Sequence, residues 1–119
     1  MEFNKFADEV HSNNVAKGFY EEKKEVGTML MLIVSEIAEA MEADRKDKRA
    51  VEVSNFDFSE KSDIELFERN IKNTFEDEIA DTFIRLLDLV GHMDINIDWH
   101  IQQKLAYNKT RPHKHGKKY

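Results

Sequence analysis

Two acidic pairs in this chain have the residue types that hold hard cations. They are Glu36/Glu39, in Ser35-Glu36-Ile37-Ala38-Glu39-Ala40, and Glu78/Asp81, in Glu76-Asp77-Glu78-Ile79-Ala80-Asp81. The i,i+3 spacing places the two members of each pair on one helix face. Such spacing recurs among the acids of this chain, and position against the apolar residues is what sets these two pairs apart. Glu36 lies one turn after Leu32 and Ile33 and one turn before Ala40, where core side chains point, and Glu39 shares that face. Glu78 follows Phe75 by one turn, and Asp81 precedes Ile84 by one turn. Carboxylates left unpaired against a core are costly, or their pKa values are forced upward. A bound divalent cation removes that difficulty, and oxygen-only ligands favour Mg²⁺ or Mn²⁺ over Zn²⁺. Neither Glu36 nor Glu78 has His three residues on, so the Glu-x-x-His motif of di-iron bundles is not made. The competing reading is ion pairing with Arg85, Lys72 or the basic tail.

That tail is the second constellation. Between Lys104 and Tyr119 there are six Lys/Arg residues and no acid, which leaves residues 1–103 with 12 basic and 24 acidic side chains. On a helix that continues through Tyr107, Lys104, Asn108 and Arg111 fall at i, i+4 and i+7 on one side. Lys supplies a mobile cation, Arg a bidentate fork and Asn a neutral donor-acceptor, a set suited to phosphate and base or sugar. Lys117 follows Gly116 in the same basic stretch. A solvated, frayed end is the bland alternative for such a tail. The acidic body argues against a nucleic-acid polymer as partner, because it repels the phosphate backbone.

The elements that must position these groups are helices. The 119 residues fit a single domain. Hydrophobic residues make up 40% and charged residues 35%, which is a globular composition. One Pro and four Gly disfavour a turn-rich all-β chain. The absence of Cys excludes disulfide scaffolds and Cys-based zinc sites. The longest strongly apolar run is Met29 to Val34. It falls far short of the roughly 20 residues that span a bilayer. With no secretory signal pattern at Met1-Glu2-Phe3-Asn4, the expectation is a cytoplasmic protein.

Four helical segments are predicted. The first runs from Phe3 to Ala16 and is stopped at Gly18. The second covers Glu22 to Asp47, with Met29–Val34 buried almost all round. Arg45 to Lys61 reads as a structured loop. Ser62 opens the third, with Glu65 completing a capping box; its buried stripe runs from Ile64 through Phe67, Ile71, Phe75, Ile79, Phe83 and Leu86 to Val90, with Gly91 at its end. Asp94 caps the fourth, which buries Ile97, Ile101 and Leu105 and finishes before Pro112. His11 and the Lys17-Gly18-Phe19-Tyr20 turn have two readings, stacking of Phe19 or Tyr20 on a base and, the favoured one, core packing; His92 and His100 have no partner visible in the sequence.

Taken together, these motifs resemble the MazG-like nucleoside triphosphate pyrophosphohydrolases of the all-α NTP pyrophosphatase superfamily. The resemblance covers nearly the whole chain. It takes in Met29-Leu30-Met31-Leu32-Ile33-Val34-Ser35-Glu36, Thr74-Phe75-Glu76-Asp77-Glu78-Ile79-Ala80-Asp81, Lys104-Leu105-Ala106-Tyr107-Asn108-Lys109-Thr110-Arg111-Pro112 and His115-Gly116-Lys117-Lys118-Tyr119. It implies an all-α helical bundle of about four helices per protomer, completed by assembly into a homodimer or homotetramer. It implies hydrolysis of an NTP or dNTP between the α and β phosphorus, giving a nucleoside monophosphate and pyrophosphate. Glu36, Glu39, Glu78 and Asp81 would then ligate Mg²⁺, and Lys104, Asn108, Arg111 and Lys117 would contact the nucleotide. Glu39 is the first candidate for general base, and nucleotide-pool house-cleaning is the role expected of such an enzyme. One departure is the 38 residues between Glu39 and Glu78, more than compact members have. The loop at Arg45–Lys61 absorbs the excess and bears on the base pocket or the oligomer contact. Two alternatives stand beside this reading: a related phosphoribosyl-ATP or dUTP pyrophosphohydrolase, and a non-catalytic helical interaction protein.

Overall fold

The computed structural model describes residues 1–53 and 55–118; Ser54 in the loop and Tyr119 in the last basic motif lie outside the described residues. The fold is all-α. It consists of α1 (Phe3–Ala16), α2 (Val26–Arg45), α3 (Lys61–Asn70), α4 (Phe75–His92) and α5 (Ile97–Lys109), followed by one 3₁₀ turn at His113–Gly116. No strand occurs among the described residues, and residues 51–53 and 55–58 belong to the loop. The chain divides into two compact units. A discontinuous unit joins residues 1–21 to 87–119, and a continuous unit spans 22–86.

In the discontinuous unit α1 has the predicted bounds, and Gly18 at φ 89° turns the chain just beyond it. Its N-terminal N–H groups have no local side-chain cap. Asp98, in the first turn of α5, supplies one from a distance, accepting from Phe3 N at 2.9 Å and Asn4 N at 3.3 Å. Asn4 replies, its Oδ1 accepting from Asp98 N at 3.2 Å, so the two helix starts satisfy each other's orphan donors. The predicted Asp94 cap is not used. Asp94 has φ 52°, and Asn96 caps α5, its side chain accepting from Trp99 N. The expected α5 stripe is also shallower than predicted, with Ile97 and Ile101 half-buried and Leu105 exposed.

In the continuous unit α2 begins at Val26, not Glu22, because the charged run before it offers no apolar face to bury. Its buried positions are Met29, Ile33, Glu36, Ala40 and Ala43, a single helical stripe. The prediction that Met29–Val34 is buried all round is therefore corrected: Leu30, Met31 and Val34 are exposed. The predicted long third helix is two helices. Asn73, at φ 66°, takes the left-handed conformation that asparagine tolerates, and the chain restarts as α4. The restart is capped reciprocally, Thr74 Oγ1 accepting from Asp77 N at 3.3 Å and Asp77 Oδ2 from Asn73 N at 2.9 Å. The Ser62/Glu65 box is not formed, since α3 starts at Lys61 behind Glu60 without a side-chain cap bond. Along the predicted stripe Ile64, Phe83 and Leu86 are exposed, and its one buried member, Val90, belongs to the discontinuous unit. The loop is held down by Ala50 N donating to Glu76 Oε1 (2.9 Å), Phe75 N to Lys48 O (2.9 Å) and Val51 N to Asn70 O (3.2 Å).

Gly91 lies in the last turn of α4 where α1 crosses closely. A Cβ there would sit 2.7 Å from both Ala7 O and His11 Cβ, and the carbonyl is backbone that cannot step aside. Gly91→Ala is expected to cost about 1–3 kcal/mol by overpacking, despite the better helix propensity of Ala. Thermal unfolding followed by circular dichroism measures it; an unchanged or raised midpoint contradicts the close crossing.

Candidate metal centre

Glu36 occupies a core slot of α2, between Ile33 and Ala40 in the buried stripe, and is only 9% exposed. Glu78 occupies the equivalent slot on α4, one turn beyond the buried Thr74, and is 5% exposed. Asp81 is half-buried on the same face of α4. One carboxylate oxygen from each of Glu36, Glu78 and Asp81 can be chosen so that all three lie within 4.8 Å of one another. Glu39 stands at the exposed edge of the α2 stripe, outside this trio, although it interacts electrostatically with Glu36 and Glu78.

The trio manages its charge unequally. Arg85, one turn beyond Asp81, donates from Nε to Glu36 Oε1 at 2.7 Å. Burial pushes the Glu36 carboxyl up, but hydrogen bonds from Arg85 and from Glu78, with the Arg85 charge, outweigh it and leave Glu36 below its usual range. Glu78 goes the other way. Burial, then hydrogen bonding with Glu39 and Glu36 and their negative charges, raises it to about 7. Asp81 is raised by burial, then by Asp77 and Glu36, with Arg85 opposing. Glu78 Oε2 is buried and has no hydrogen-bond partner, and the interactions of the Glu78 carboxyl with Glu39 and Glu36 favour its protonated form. An all-oxygen set with an orphaned buried oxygen fits a hard divalent cation.

The residues predicted to contact nucleotide belong to the discontinuous unit. Lys104 and Arg111 flank the ring of Tyr107, with Lys104 Nζ 5.2 Å and Arg111 Cζ 5.7 Å from its centroid. Arg111 lies beyond α5, which ends at Lys109, so the three residues do not share one continuous helix face. Asn108 is half-buried and its Oδ1 has no hydrogen-bond partner; Lys117 is exposed after the 3₁₀ turn.

A polar cluster in the discontinuous unit was missed by the sequence reading. Buried Asp88 accepts from Tyr20 Oη at 2.8 Å and pairs with His11 Nδ1 at 3.1 Å. Burial and the Asp88 hydrogen bond raise the Tyr20 hydroxyl above its usual range. The His92 ring packs 4.8 Å from Tyr20 and 5.6 Å from His11. The available signal was an acid inside the apolar Leu86-Leu87-Asp88-Leu89-Val90 run.

Because Glu78 is raised in the folded state, its stabilising contribution is complete below an unfolded pKa near 4.5 and is lost as pH rises through about 7. In chelator-treated protein, the thermal midpoint of wild type is expected to fall between pH 5 and pH 8 more steeply than that of Glu78→Gln. Equal slopes contradict the burial of an ionisable Glu78. Among protein-family models, curated proteins and solved structures, none matches this chain.

Proposed function

We propose that this chain is a MazG-like nucleoside triphosphate pyrophosphohydrolase, hydrolysing an NTP or dNTP to the monophosphate and pyrophosphate. The observation that carries the reading is the buried, unpartnered Glu78 Oε2 within a trio of carboxylates that has no His or Cys in it. Glu36, Glu78 and Asp81 would hold Mg²⁺ (or Mn²⁺), with Glu39 at the rim. A cation bound there reverses the local charge sign toward a polyphosphate and polarises the phosphorus under attack. Glu39 is exposed, so water reaches it, and it is the carboxylate assigned to accept the proton of the attacking water. Oxygen from that water bonds to the α phosphorus as the bond to the bridging oxygen breaks, and pyrophosphate leaves. Arg85 holds Glu36 ionised and oriented through its 2.7 Å bond. Lys104, Asn108, Arg111 and Lys117 are the residues assigned to the nucleotide's charge and polar edges. A house-cleaning role in the cytoplasm accords with this reading, and no helix among the described residues is long and apolar enough to cross a membrane.

The Arg85–Glu36 pair favours a second reading, in which the acids are salt-bridge partners in a non-catalytic interaction protein. A panel of NTPs and dNTPs with Mg²⁺, analysed by phosphorus NMR, separates the two. Pyrophosphate is the expected product; orthophosphate rejects the reaction class, and no turnover of any nucleotide favours the interaction protein. A phosphoribosyl-ATP or dUTP pyrophosphohydrolase would turn over its own substrate selectively. Glu36→Gln and Asp81→Asn are each expected to lower turnover at least about 100-fold with the helical circular dichroism kept. Near-normal rates contradict the ligand assignment.

Assembly into a homodimer or homotetramer is part of the same reading. Leu30, Val34, Ile37 and Met41 are each about half exposed and repeat at i, i+4, i+7 and i+11 along α2. Such an apolar seam is what a partner helix buries. Ile37→Glu is expected to shift the mass measured by light scattering toward the protomer; an unchanged mass excludes this face as the contact.

A further inference from the structure

The continuous unit contains a cleft of about 570 Å³ lined by α4 from Glu76 to Ile84, by α3 and by the loop, with Asp81 in its wall. That volume falls in the range of small-molecule sites. Asp77, one turn before Asp81 on α4, lines the same cleft, so the cleft adjoins the carboxylate trio through Asp81. The apolar wall is Phe67, Ile71 and Ile84. Phe67 is braced edge-on by Phe56 (5.7 Å, 85°) and Phe58 (5.4 Å, 82°). Those contacts hold the Phe67 ring, which lines the cleft. The polar edge is dominated by acceptors, the carboxylates of Glu52, Glu76 and Asp77, with Lys72 and Asn73 as donors. Glu52 and Lys72 make no ion pair among the described residues, and both are exposed. An aromatic ring beside carboxylates suits a heterocycle that presents an N–H₂ group, as adenine, cytosine and guanine do and uracil and thymine do not. A keto oxygen facing the same carboxylates is repelled.

We propose that this cleft receives the nucleobase of the substrate and selects bases bearing an exocyclic amino group. The substrate part of this assignment rests on the pyrophosphohydrolase reading above. Phe67 stacks on the base, Glu52 and Asp77 accept from the amine, and Asn73 with Lys72 faces the ring carbonyl that cytosine shares with uracil.

The test uses nucleosides without phosphates in chelator-treated full-length protein, so that neither metal nor turnover is needed. Cytidine, uridine, adenosine and inosine are titrated while backbone amide shifts are followed by NMR. Cytidine is expected to bind at least about tenfold tighter than uridine, and adenosine than inosine, the effect of a hydrogen bond to a charged group. The shifts should centre on Phe67, Asn73 and Asp77. Glu52→Gln and Asp77→Asn, the second keeping an acceptor for Asn73 N, are each expected to narrow both ratios. Equal binding, a preference for uridine or inosine, or shifts centred away from the cleft overturn the proposal. A clear amino preference with no hydrolysis of any triphosphate leaves the cleft assignment standing and removes the pyrophosphohydrolase reading; hydrolysis without the preference does the reverse.

Discussion

Two glutamates occupy positions that the helical period reserves for apolar side chains, and the continuous unit is organised around what that requires. An ionised carboxylate taken from water without a partner is costly, and a second one beside it adds repulsion. Three remedies exist: a paired cation, a retained proton or a bound metal. Glu36 uses the first, through Arg85. Glu78 uses the second, its carboxyl held near 7 by burial and its acidic neighbours. The third is the one the proposed function requires, and it would relieve all three acids together. Arg85 is 43% exposed, so solvent screens part of its attraction and the pair alone does not neutralise the cluster.

Much of this arrangement could be read from periodicity. The α2 stripe through Ile33, Glu36 and Ala40 announces a buried acid, and the bounds of α1 follow from its apolar spacing and Gly18. Glu39 was placed on the same face by its spacing to Glu36, but the stripe drifts through Ala40 and Ala43 and leaves Glu39 at the rim. The break between α3 and α4 was hidden because Ile71, Phe75 and Ile79 keep helical phase across it. The overlooked signal was Asn73-Thr74 followed by Asp77, a stop and a cap in five residues.

Other features had no local signature. Partnerships such as His11 with Asp88, 77 residues apart, cannot be inferred from spacing. Nor does an all-apolar run such as Met29–Val34 say which side meets the core and which is exposed. Burial distinguishes them: Met29 and Ile33 face inward, and Leu30 and Val34 do not.

The long-range capping by Asp98 bears on the order in which the chain organises itself. During synthesis, residues 22–86 are all available to one another once Leu86 has emerged from the ribosome. The first helix must wait, because the carboxylate that satisfies its leading amides arrives 95 positions after Phe3. Until then α1 is a short helix without its cap, and isolated helices of that length are marginal in water. Closure of so wide a loop makes the discontinuous unit the slower one to form, and α1 the segment most open to chaperones or proteases while translation continues.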